Sequence, residues 1–361
     1  MSPPEIPLEH FPNEKNSCRR RSGRPNRLTL GGALLAAWAS WLSGCTEWQS
    51  AVAPAGPYAA EIASLFWVFV GVCSLIWVLV TLALIGAVLR RRELSADPLQ
   101  IDEQRERRAG GIILACVVAT AATLIAFTLL SFFAQRSLWA EQNPALKIRL
   151  TGHQWWWDVE YQDPDPTKTL TTANEIHLPV DQPIIVQLDT DDVIHSFWVP
   201  SLAGKMDHIS GHTNETRLMA SRPGIYRGQC AEFCGLQHAN MAFLVVASPA
   251  DEFDLWREQQ GKPAPEPSSA ESERGRKVFL SRNCMLCHTI RGTSANGKLG
   301  PDLTHLASRR TIAAGTAPLT PGHLGGWLSD PQHLKPGNKM PWPELNANEI
   351  APLVAYLMSL R

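Results

Sequence analysis

The sequence lacks a surplus of charge of either sign. Its 361 residues include 33 Lys and Arg against 34 Asp and Glu. This balance excludes a general attraction to nucleic acid or to an acidic partner, which needs an excess of positive charge. We therefore expect no nucleic-acid partner and only local effects of charge. The length exceeds what one hydrophobic core normally occupies, so more than one domain is expected.

Cysteine is limited to 8 positions, and the last four of them form two close pairs. Three residues separate Cys230 from Cys234, and two separate Cys284 from Cys287. Scattered disulfides are the alternative in an exported protein. A histidine closely follows each pair, however, and this arrangement favours metal and haem chemistry.

Residues 1–44 have the features of a bacterial export signal. Five arginines between residues 19 and 27 precede an apolar run, residues 28–42, which is too short to span a membrane comfortably. The sequence Leu42-Ser43-Gly44-Cys45 resembles the lipobox of bacterial lipoproteins, which implies cleavage before Cys45 and lipid attachment to it. An ordinary cleaved signal and an uncleaved anchor are the alternatives.

Residues 45–140 are predicted to form a transmembrane hairpin. Two apolar stretches, about 62–89 and 110–134, are each long enough to cross about 30 Å of hydrocarbon at about 1.5 Å per residue. The loop between them holds six arginines, and such loops face the cytoplasm. We therefore expect both the N-terminal part and everything after about residue 140 to lie on the extracytoplasmic side of a bacterial plasma membrane.

Residues 141–257 change to short β-rich runs broken by Pro, Gly and Asp, which is typical of a β-sandwich or barrel. The segment also carries two thiols, two imidazoles and a thioether: Cys230, Cys234, His195, His238 and Met241. Soft sulfur with imidazole nitrogen suits copper that changes oxidation state. Zinc is the competing metal, but it would need only four of these groups and no methionine.

The pattern Cys-x-Glu-x-Cys-x3-His-x2-Met at residues 230–241 resembles subunit II of cytochrome c oxidase, whose cupredoxin domain houses the dinuclear copper A centre. The resemblance extends from the membrane hairpin to about residue 250, and it implies an all-β, cupredoxin-like sandwich. It implies the following copper ligands: His195, Cys230, Cys234, His238, Met241 and the backbone carbonyl of Glu232. It also implies that the Glu232 side chain faces a magnesium or manganese site shared with subunit I. A carboxylate that only supports the copper ligands is the alternative.

Three consecutive tryptophans, residues 155–157, resemble the aromatic patch of the same family. In that family an exposed tryptophan passes electrons to copper A, and Trp155 occupies its position. From the residues alone, adjacent tryptophans on a strand would place rings on both faces, some in the core and some in a contact surface. The family usually has Tyr at the middle position, where this chain has Trp156.

Residues 258–270 are predicted to be a Pro-rich linker, and residues 271–361 an all-α class I cytochrome c domain. Cys284, Cys287 and His288 form the attachment signature of c-type haem, in which two thioethers hold the porphyrin and the histidine reaches the iron. A redox dithiol or half a zinc site shares the cysteine pair. The following Leu-Gly-Pro301-Asp resembles class I cytochromes in which the proline carbonyl orients this imidazole, and the loop around Met340 resembles the one that carries the sixth ligand.

Met340 is the preferred axial ligand because a thioether raises the reduction potential of haem iron. Met285 is too close to the attachment site to reach the opposite haem face, and Met358 lies on the expected closing helix, residues 349–360. Three histidines are rival sixth ligands: His305, His323 and His333.

These resemblances together imply the electron-entry subunit of a caa3-type haem–copper oxidase. Such a subunit relays electrons from cytochrome c to subunit I, where oxygen is reduced and protons are translocated. Subunits I and III are the expected partners, and the oxygen-reducing pocket is not expected in this chain.

Three other functions are alternatives. A nitrous-oxide-reductase-like copper A protein needs a histidine-rich propeller, but this chain has 11 His and no such region. A quinol oxidase subunit II lacks the copper ligands. A membrane-tethered electron carrier or copper-binding protein is the non-enzymatic alternative.

Overall fold

The computed structural model describes residues 49–90, 102–138 and 146–361. The predicted signal, Cys45 and most of the arginine-rich loop lie outside the described residues. Three parts follow one another along the chain: two long apolar helices, a β-sandwich and a C-terminal helical domain. This arrangement confirms the predicted multidomain fold class.

The two apolar helices are α1, Pro57–Leu89, and α2, Glu103–Leu138. Their most apolar windows have a mean hydropathy of 2.8 and 2.5, and by length and composition both could cross a membrane. Phe69 and Phe127 stack between them with ring centroids 3.9 Å apart. Both helices begin earlier than the apolar stretches do. Pro57 suits the first turn of α1, where a backbone N–H is not needed, and the charged first turns of α2 continue the helix beyond the apolar stretch.

Main-chain hydrogen bonds attach the start of α1 to the sandwich. The amide of Ala55 donates to the Ser201 carbonyl over 2.7 Å, and the amide of Ser221 donates to the Ala55 carbonyl over 2.8 Å. A Cβ at Gly56 would lie 2.1 Å from the backbone oxygen of Met219, so only glycine permits this approach. The first membrane helix is therefore fixed to the domain that follows.

Between residues 146 and 248, ten strands form the sandwich, in two sheets of five. They are β1 Leu146–His153, β2 Trp156–Gln162, β3 Leu170–Ala173, β4 Glu175–Pro179, β5 Ile184–Thr190, β6 His195–Trp198, β7 Met206–His208, β8 Asn214–Leu218, β9 Gly224–Cys230 and β10 Ala242–Ser248. The strand orders are β3-β2-β1-β5-β8 and β4-β10-β9-β6-β7. The β1–β5 and β4–β10 pairs are parallel, and the other pairs are antiparallel.

Alternating apolar residues of the two sheets meet in the sandwich core. Trp157, Phe197 and Phe243 are fully buried there. The ring centroid of Phe243 lies 5.4 Å from that of Trp157 and 5.2 Å from that of Phe197. A Cβ at Gly228 would lie 2.2 Å from the Phe243 ring, so this ring occupies the space that a larger residue on β9 would need. The core lies directly behind the loop that joins β9 to β10.

Helix α3, Ala250–Gly261, follows the sandwich, and its Phe253 and Trp256 pack against the sandwich core. The C-terminal domain is built from short helices, which are α4 Ala270–Ser281, α5 Cys284–Cys287, α6 Pro321–Ser329, α7 Pro331–Leu334 and α8 Ala347–Leu357. Helix α3 continues four residues into the predicted linker 258–270, so the extended segment is residues 262–269. This segment is not free of the domain, because the Ala264 amide donates to the Arg291 carbonyl over 2.9 Å.

Helices α4 and α8 cross at Gly275. Phe279 on α4 and Leu353 and Tyr356 on α8 are buried in the core that the two helices share. A Cβ at Gly275 would lie 2.0 Å from the Pro352 carbonyl oxygen, so the backbones touch at this point. The closing helix predicted at residues 349–360 is thus present, and its packing depends on one glycine.

The Gly275→Ala variant is expected to be less stable than the wild type by about 1–3 kcal/mol, because the added methyl must push α4 and α8 apart. Thermal or denaturant unfolding of the C-terminal domain measures this change. Gly326→Ala on α6 is the matched control, since a Cβ there meets nothing within 4 Å and alanine favours a helix by up to about 1 kcal/mol. Equal stability of the two variants would contradict the close crossing.

Candidate metal and haem sites

The loop between β9 and β10 gathers most of the predicted copper ligands. Cys230 ends β9, and its amide donates to the Met241 carbonyl over 2.9 Å, which closes the loop at its base. Cys230 also pairs with Phe197 on β6, which brings His195 to the same place. His195, both cysteines and Met241 are buried.

The donor atoms predicted from the sequence converge in one cluster. The separations are 3.8 Å for Cys230 Sγ to Cys234 Sγ, 3.8 Å for Cys230 Sγ to His195 Nδ1, 3.7 Å for Cys234 Sγ to His238 Nδ1, 3.8 Å for Cys234 Sγ to Met241 Sδ, and 3.1 Å for Cys230 Sγ to the Glu232 carbonyl oxygen. The sulfurs are too far apart for a disulfide, which needs about 2.05 Å. Each sulfur has its own imidazole, so the arrangement has the two-centred form that a pair of bridged metal ions needs.

The two thiols share their protons unequally. A hydrogen bond from Cys234 lowers the pKa of Cys230 to about 3, while the same contact raises the pKa of Cys234 above its usual range. One sulfur is therefore held as a thiolate, the form that binds metal ions. Binding through both sulfurs would release the remaining proton.

Asp192 orients the remote histidine. Its Oδ1 lies 2.9 Å from His195 Nε2, so we assign the ring proton to Nε2, which leaves Nδ1 with a lone pair toward Cys230. Burial works against the Asp192 charge, but hydrogen bonds from His195, Gln154, Lys339 and the Val193 amide lower its pKa to about 2. No role was predicted for Asp192 from the sequence, although an acidic residue three positions before a ligand histidine is a usable signal.

Trp155 touches the sulfur loop directly. Its indole Nε1 donates to the Cys234 carbonyl over 3.0 Å, and the Gln154 side chain donates to the same oxygen over 2.8 Å. The prediction that Trp155 is exposed is wrong, because only 8 % of its surface is accessible to solvent. It lies in the turn between β1 and β2, against residues of the C-terminal domain. Trp157 is fully buried and Trp156 half-buried, so the expected division between core and surface rings applies to this pair.

The outer side of the sulfur loop is apolar and exposed. Phe233 is 76 % and Leu236 81 % accessible, and the Glu232 side chain beside them is exposed as well. Val193 and Ile194, which precede His195, are also exposed. An exposed apolar patch of this kind is typical of a protein contact surface.

In the C-terminal domain, the helical turn α5 begins at Cys284 and ends at Cys287, and residues three positions apart lie on the same face of a helix. His288 follows, and its Nδ1 lies 2.8 Å from the Pro301 carbonyl, the contact expected from the sequence. This hydrogen bond leaves Nε2 for a metal ion. A Cβ at Gly300 would lie 2.7 Å from the His288 ring, so glycine is required beside the imidazole. Two thiols and a preoriented imidazole fit covalent haem attachment.

Met340 lies in a loop that two amide side chains hold in place. Its amide donates to Asn338 Oδ1 over 2.8 Å, and its carbonyl accepts from Gln332 Nε2 over 3.3 Å. The Gln332 side chain also accepts from the Gly337 amide over 2.8 Å. The backbone leading to Met340 is therefore defined by side-chain hydrogen bonds.

The rival sixth ligands are engaged elsewhere or exposed. Both ring nitrogens of the buried His305 lie at backbone carbonyls, 2.9 Å from that of Arg361 and 3.0 Å from that of Lys262. His323 is exposed at the start of α6 and His333 is exposed on α7. Met285 and Met358 both pack against the core of the C-terminal domain.

A buried charged cluster joins the sandwich to the C-terminal domain. Arg309 is buried, and its guanidinium donates to the Asp302 carbonyl and, over 3.3 Å, to Thr172 Oγ1 of the sandwich. Burial raises the pKa of Asp158 on β2 to about 7, the Glu160 and Asp302 carboxylates act in the same direction, and Arg309 opposes them. Asp158 is thus held partly protonated at neutral pH.

No sequence pattern marks this cluster, or Lys335 and Lys339, whose side chains also hydrogen-bond to the sandwich. Lysines in a Pro-Gly-Asn loop are usually solvated, and no pattern marks their partners, which lie about 95–180 residues earlier in the chain.

Two family models match the chain. "Cytochrome C oxidase subunit II, periplasmic domain" matches residues 164–248, and "Cytochrome c" matches residues 272–361. The first model implies a copper centre and the second a haem c. Two helices able to cross a membrane precede the first match.

Curated relatives named cytochrome c oxidase subunit 2 match the chain over a longer region than either family model. Cytochrome c oxidase subunit 2 of Alkalihalophilus pseudofirmus is 39 % identical over 215 residues, which are 59 % of this chain and 61 % of that protein. The subunit 2 of a Bacillus species (strain PS3) is 31 % identical over 262 residues, which are 69 % of this chain and 72 % of that protein. The chain thus spans about three fifths of the first relative's length and more of the second.

A solved structure of a relative also matches part of the chain. The periplasmic domain of subunit II of the Bradyrhizobium japonicum cytochrome oxidase is 34 % identical. The match covers 33 % of this chain and 95 % of that one, with a TM-score of 0.31.

The Asp158→Asn variant is expected to change how stability depends on pH. The folded-state pKa of Asp158, about 7, lies above its ordinary value, so the carboxyl group stabilises the fold at low pH and loses this contribution as pH rises from about 4 to about 7. The melting temperature of the wild type should therefore fall relative to that of Asp158→Asn across this window and then level off. Asp254→Asn, at an exposed position of α3, is the control, and an equal pH trend in both variants would contradict the assignment.

Proposed function

Because the chain belongs to the cytochrome c oxidase subunit II family, we propose that it is the electron-entry subunit of a haem–copper respiratory oxidase of the caa3 type. It would accept electrons from a cytochrome c donor and pass them to the oxygen-reducing site of subunit I, in an enzyme that couples this transfer to proton translocation. In this proposal residues 1–44 are a signal, 45–140 the membrane hairpin, 141–257 the copper domain and 271–361 the cytochrome domain.

One observation carries the proposal: two cysteine sulfurs 3.8 Å apart, each with one imidazole nitrogen within 3.8 Å. A thioether and a backbone carbonyl complete the set. Tetrahedral zinc needs four of these six donors and has no use for the thioether, whereas soft sulfur and imidazole together suit copper. The proposed ligands are His195, Cys230, Cys234, His238, Met241 and the Glu232 carbonyl.

The C-terminal domain would hold the second electron carrier. Cys284 and Cys287 would bond the porphyrin, and His288, with its Nδ1 hydrogen on the Pro301 carbonyl, would present Nε2 to the iron. Met340 is proposed as the opposite axial ligand, and loss of the near-infrared methionine–iron band in Met340→Leu tests this. When bound, a haem c and a dinuclear copper centre each accept and release one electron at a time.

The chain's own residues position these groups and connect them. Asp192 keeps His195 in the tautomer that can bind a metal ion. Trp155 is proposed as the electron-entry residue, supported by its hydrogen bond to the backbone of the ligand Cys234. The exposed Glu232 side chain is proposed to contribute to a magnesium or manganese site shared with subunit I.

The exposed apolar surface indicates a partner contact, and the distribution of arginines indicates the orientation of the chain in the membrane. The exposed Phe233 and Leu236 of the sulfur loop fit a contact with subunit I, and subunit III is proposed as a further partner. The arginines at the end of α1, in the loop after it and in the first turns of α2 would face the cytoplasm, which puts both other domains outside. Cys45 is proposed to carry a lipid anchor in the plasma membrane.

The main alternative is a membrane-tethered electron carrier or copper-binding protein that works without an oxidase; a nitrous-oxide-reductase-like copper A protein is a weaker one. Purification of the affinity-tagged chain from membranes in mild detergent separates them. Copurification of a larger haem-containing subunit with oxygen-reducing activity supports the oxidase. Recovery of the chain by itself from membranes that retain such activity would contradict it.

The copper proposal predicts a seven-line mixed-valence EPR signal and a near-infrared band from the purified chain. Cys230→Ser should abolish both, because one of the two sulfurs that would bind the copper is lost. Cys116→Ser on α2 is the control, and it should leave both unchanged, since Cys116 lies far along the chain in an exposed apolar helix. A wild-type chain that contains zinc and gives no EPR signal would overturn the proposal.

A further inference from the structure

The segment Lys335–Lys339, which we name the docking segment, lies immediately before Met340 and contacts the sandwich beside its metal-site residues. Four hydrogen bonds join them: Lys335 Nζ to the carbonyl oxygens of Trp155 (2.8 Å) and Asn240 (2.7 Å), Gln237 Nε2 to the Pro336 carbonyl (2.6 Å), and Lys339 Nζ to Asp192 Oδ2 (3.0 Å). Each partner in the sandwich is close to a proposed copper ligand. Trp155 and Asp192 hydrogen-bond to Cys234 and His195, and Gln237 and Asn240 are neighbours of His238 and Met241 in the sequence. The segment before one proposed metal ligand therefore lies against the ligand loop of the other site.

Lys335 is the buried member of this segment, with 2 % of it accessible. Its ammonium group has three N–H donors, and three backbone carbonyls accept them, the third being that of Ala313 at 2.9 Å. Two of the three carbonyls belong to the sandwich, so the full set exists only while the domains are docked. A buried charge is costly unless its hydrogen bonds are made, and this contact therefore selects one relative orientation of the domains.

Lys339 reaches the metal site through one carboxylate. Its Nζ bonds to Oδ2 of Asp192, whose Oδ1 is the partner of His195 Nε2. A carboxylate on the second ring nitrogen makes a ligand histidine a stronger electron donor, and a cation on that carboxylate weakens the effect. Only the Asp192 side chain thus lies between the charge of Lys339 and the proposed copper ligand His195.

The charges of the two domains are complementary. Residues 146–257 contain 15 Asp and Glu against 8 Lys and Arg, whereas residues 271–361 contain 6 against 11. The domains are also joined by a main-chain donor, since the Arg310 backbone amide donates to the Glu175 carboxylate over 2.5 Å. Complementary charge of this kind favours one docked arrangement.

We propose that Lys335 and Lys339 are positioning residues, which hold the C-terminal domain on the sandwich and link this docking to the reduction potential of the copper site. Lys335 sets the orientation, and Lys339 adds a positive charge to the Asp192–His195 pair only in the docked state. This inference rests on the proposed function, because it assumes that both sites carry electrons.

Loss of Lys339 should lower the reduction potential of the copper site. With the cation removed, the negative charge of Asp192 acts on His195 unopposed and stabilises the oxidised state. Loss of Lys335 should instead slow the passage of one electron from the reduced cytochrome domain to the sandwich, because the docked orientation is no longer selected. We expect a decrease of about tenfold or more.

The test uses the full-length chain purified with both groups bound. Spectroelectrochemistry gives the two potentials, and flash reduction by a photoexcited ruthenium complex gives the rate of electron transfer between the domains. We expect a lower copper potential in Lys339→Gln and none of this shift in Lys277→Gln, which removes the same charge from an exposed position of α4. In the background Asp192→Asn, Lys339→Gln should have a smaller effect, because the carboxylate that transmits it is absent.

A copper potential in Lys339→Gln equal to that in Lys277→Gln would overturn the inference. A wild-type transfer rate in Lys335→Met that keeps its EPR signal and haem spectrum would do so as well. If Lys335→Met fails to fold, the Lys339 comparison still decides, since that side chain is 58 % accessible and its removal leaves the core intact. Absence of copper or haem from the wild type would instead overturn the proposed function.

Discussion

The register of β9 against its two neighbours is the constraint on which the metal site depends. Cys230 is opposite Phe197 on β6, and Ala242 on β10 is opposite Gln229. This pairing closes the sulfur loop at its base and brings His195 beside it. A shift of one residue would turn the Cys230 side chain to the other face of the sheet and separate the donors. The buried aromatic core behind the loop resists such a shift, because Phe243 fills the space left by Gly228.

The same loop is also the surface against which the C-terminal domain packs. On its inner side the Trp155 and Gln154 side chains donate to the Cys234 carbonyl. Lys335 of the C-terminal domain donates in turn to the Trp155 carbonyl. Main-chain oxygens thus connect the tryptophan, the ligand loop and the neighbouring domain in one hydrogen-bonded chain. The outer side of the loop, with Phe233, remains exposed and apolar, which leaves it available to a further subunit. The loop therefore has one face that packs against the C-terminal domain and another that is exposed and apolar.

The attachment of the sandwich to the first membrane helix completes this geometry. Because the segment at Ala55 and Gly56 pairs with sandwich backbone, the position of the metal site is tied to α1. A domain that is held at a fixed place relative to a membrane helix loses little orientational freedom on binding a partner in the same membrane. The extended segment 262–269, by contrast, is tied to the cytochrome domain, through the Ala264 amide.

The sequence by itself determined which chemistry this protein can hold and in which order its parts occur. The spacing of Cys230 and Cys234, the haem-attachment signature ending at His288, and the long apolar stretches are local patterns, and local patterns can be read without a fold. The sandwich and the closing helix were predictable for the same reason, since alternation and helical spacing reflect burial along a single element. Tertiary structure alone decided that Trp155 is buried, that Asp192 supports His195, and that Lys335 joins two domains. The contacts of Trp155 and Lys335 join residues 79 and 180 positions apart through backbone oxygens, which every residue possesses, so no side-chain pattern in the sequence records them. Asp192 lies only three positions before His195, but the fold is what brings its carboxylate to the imidazole.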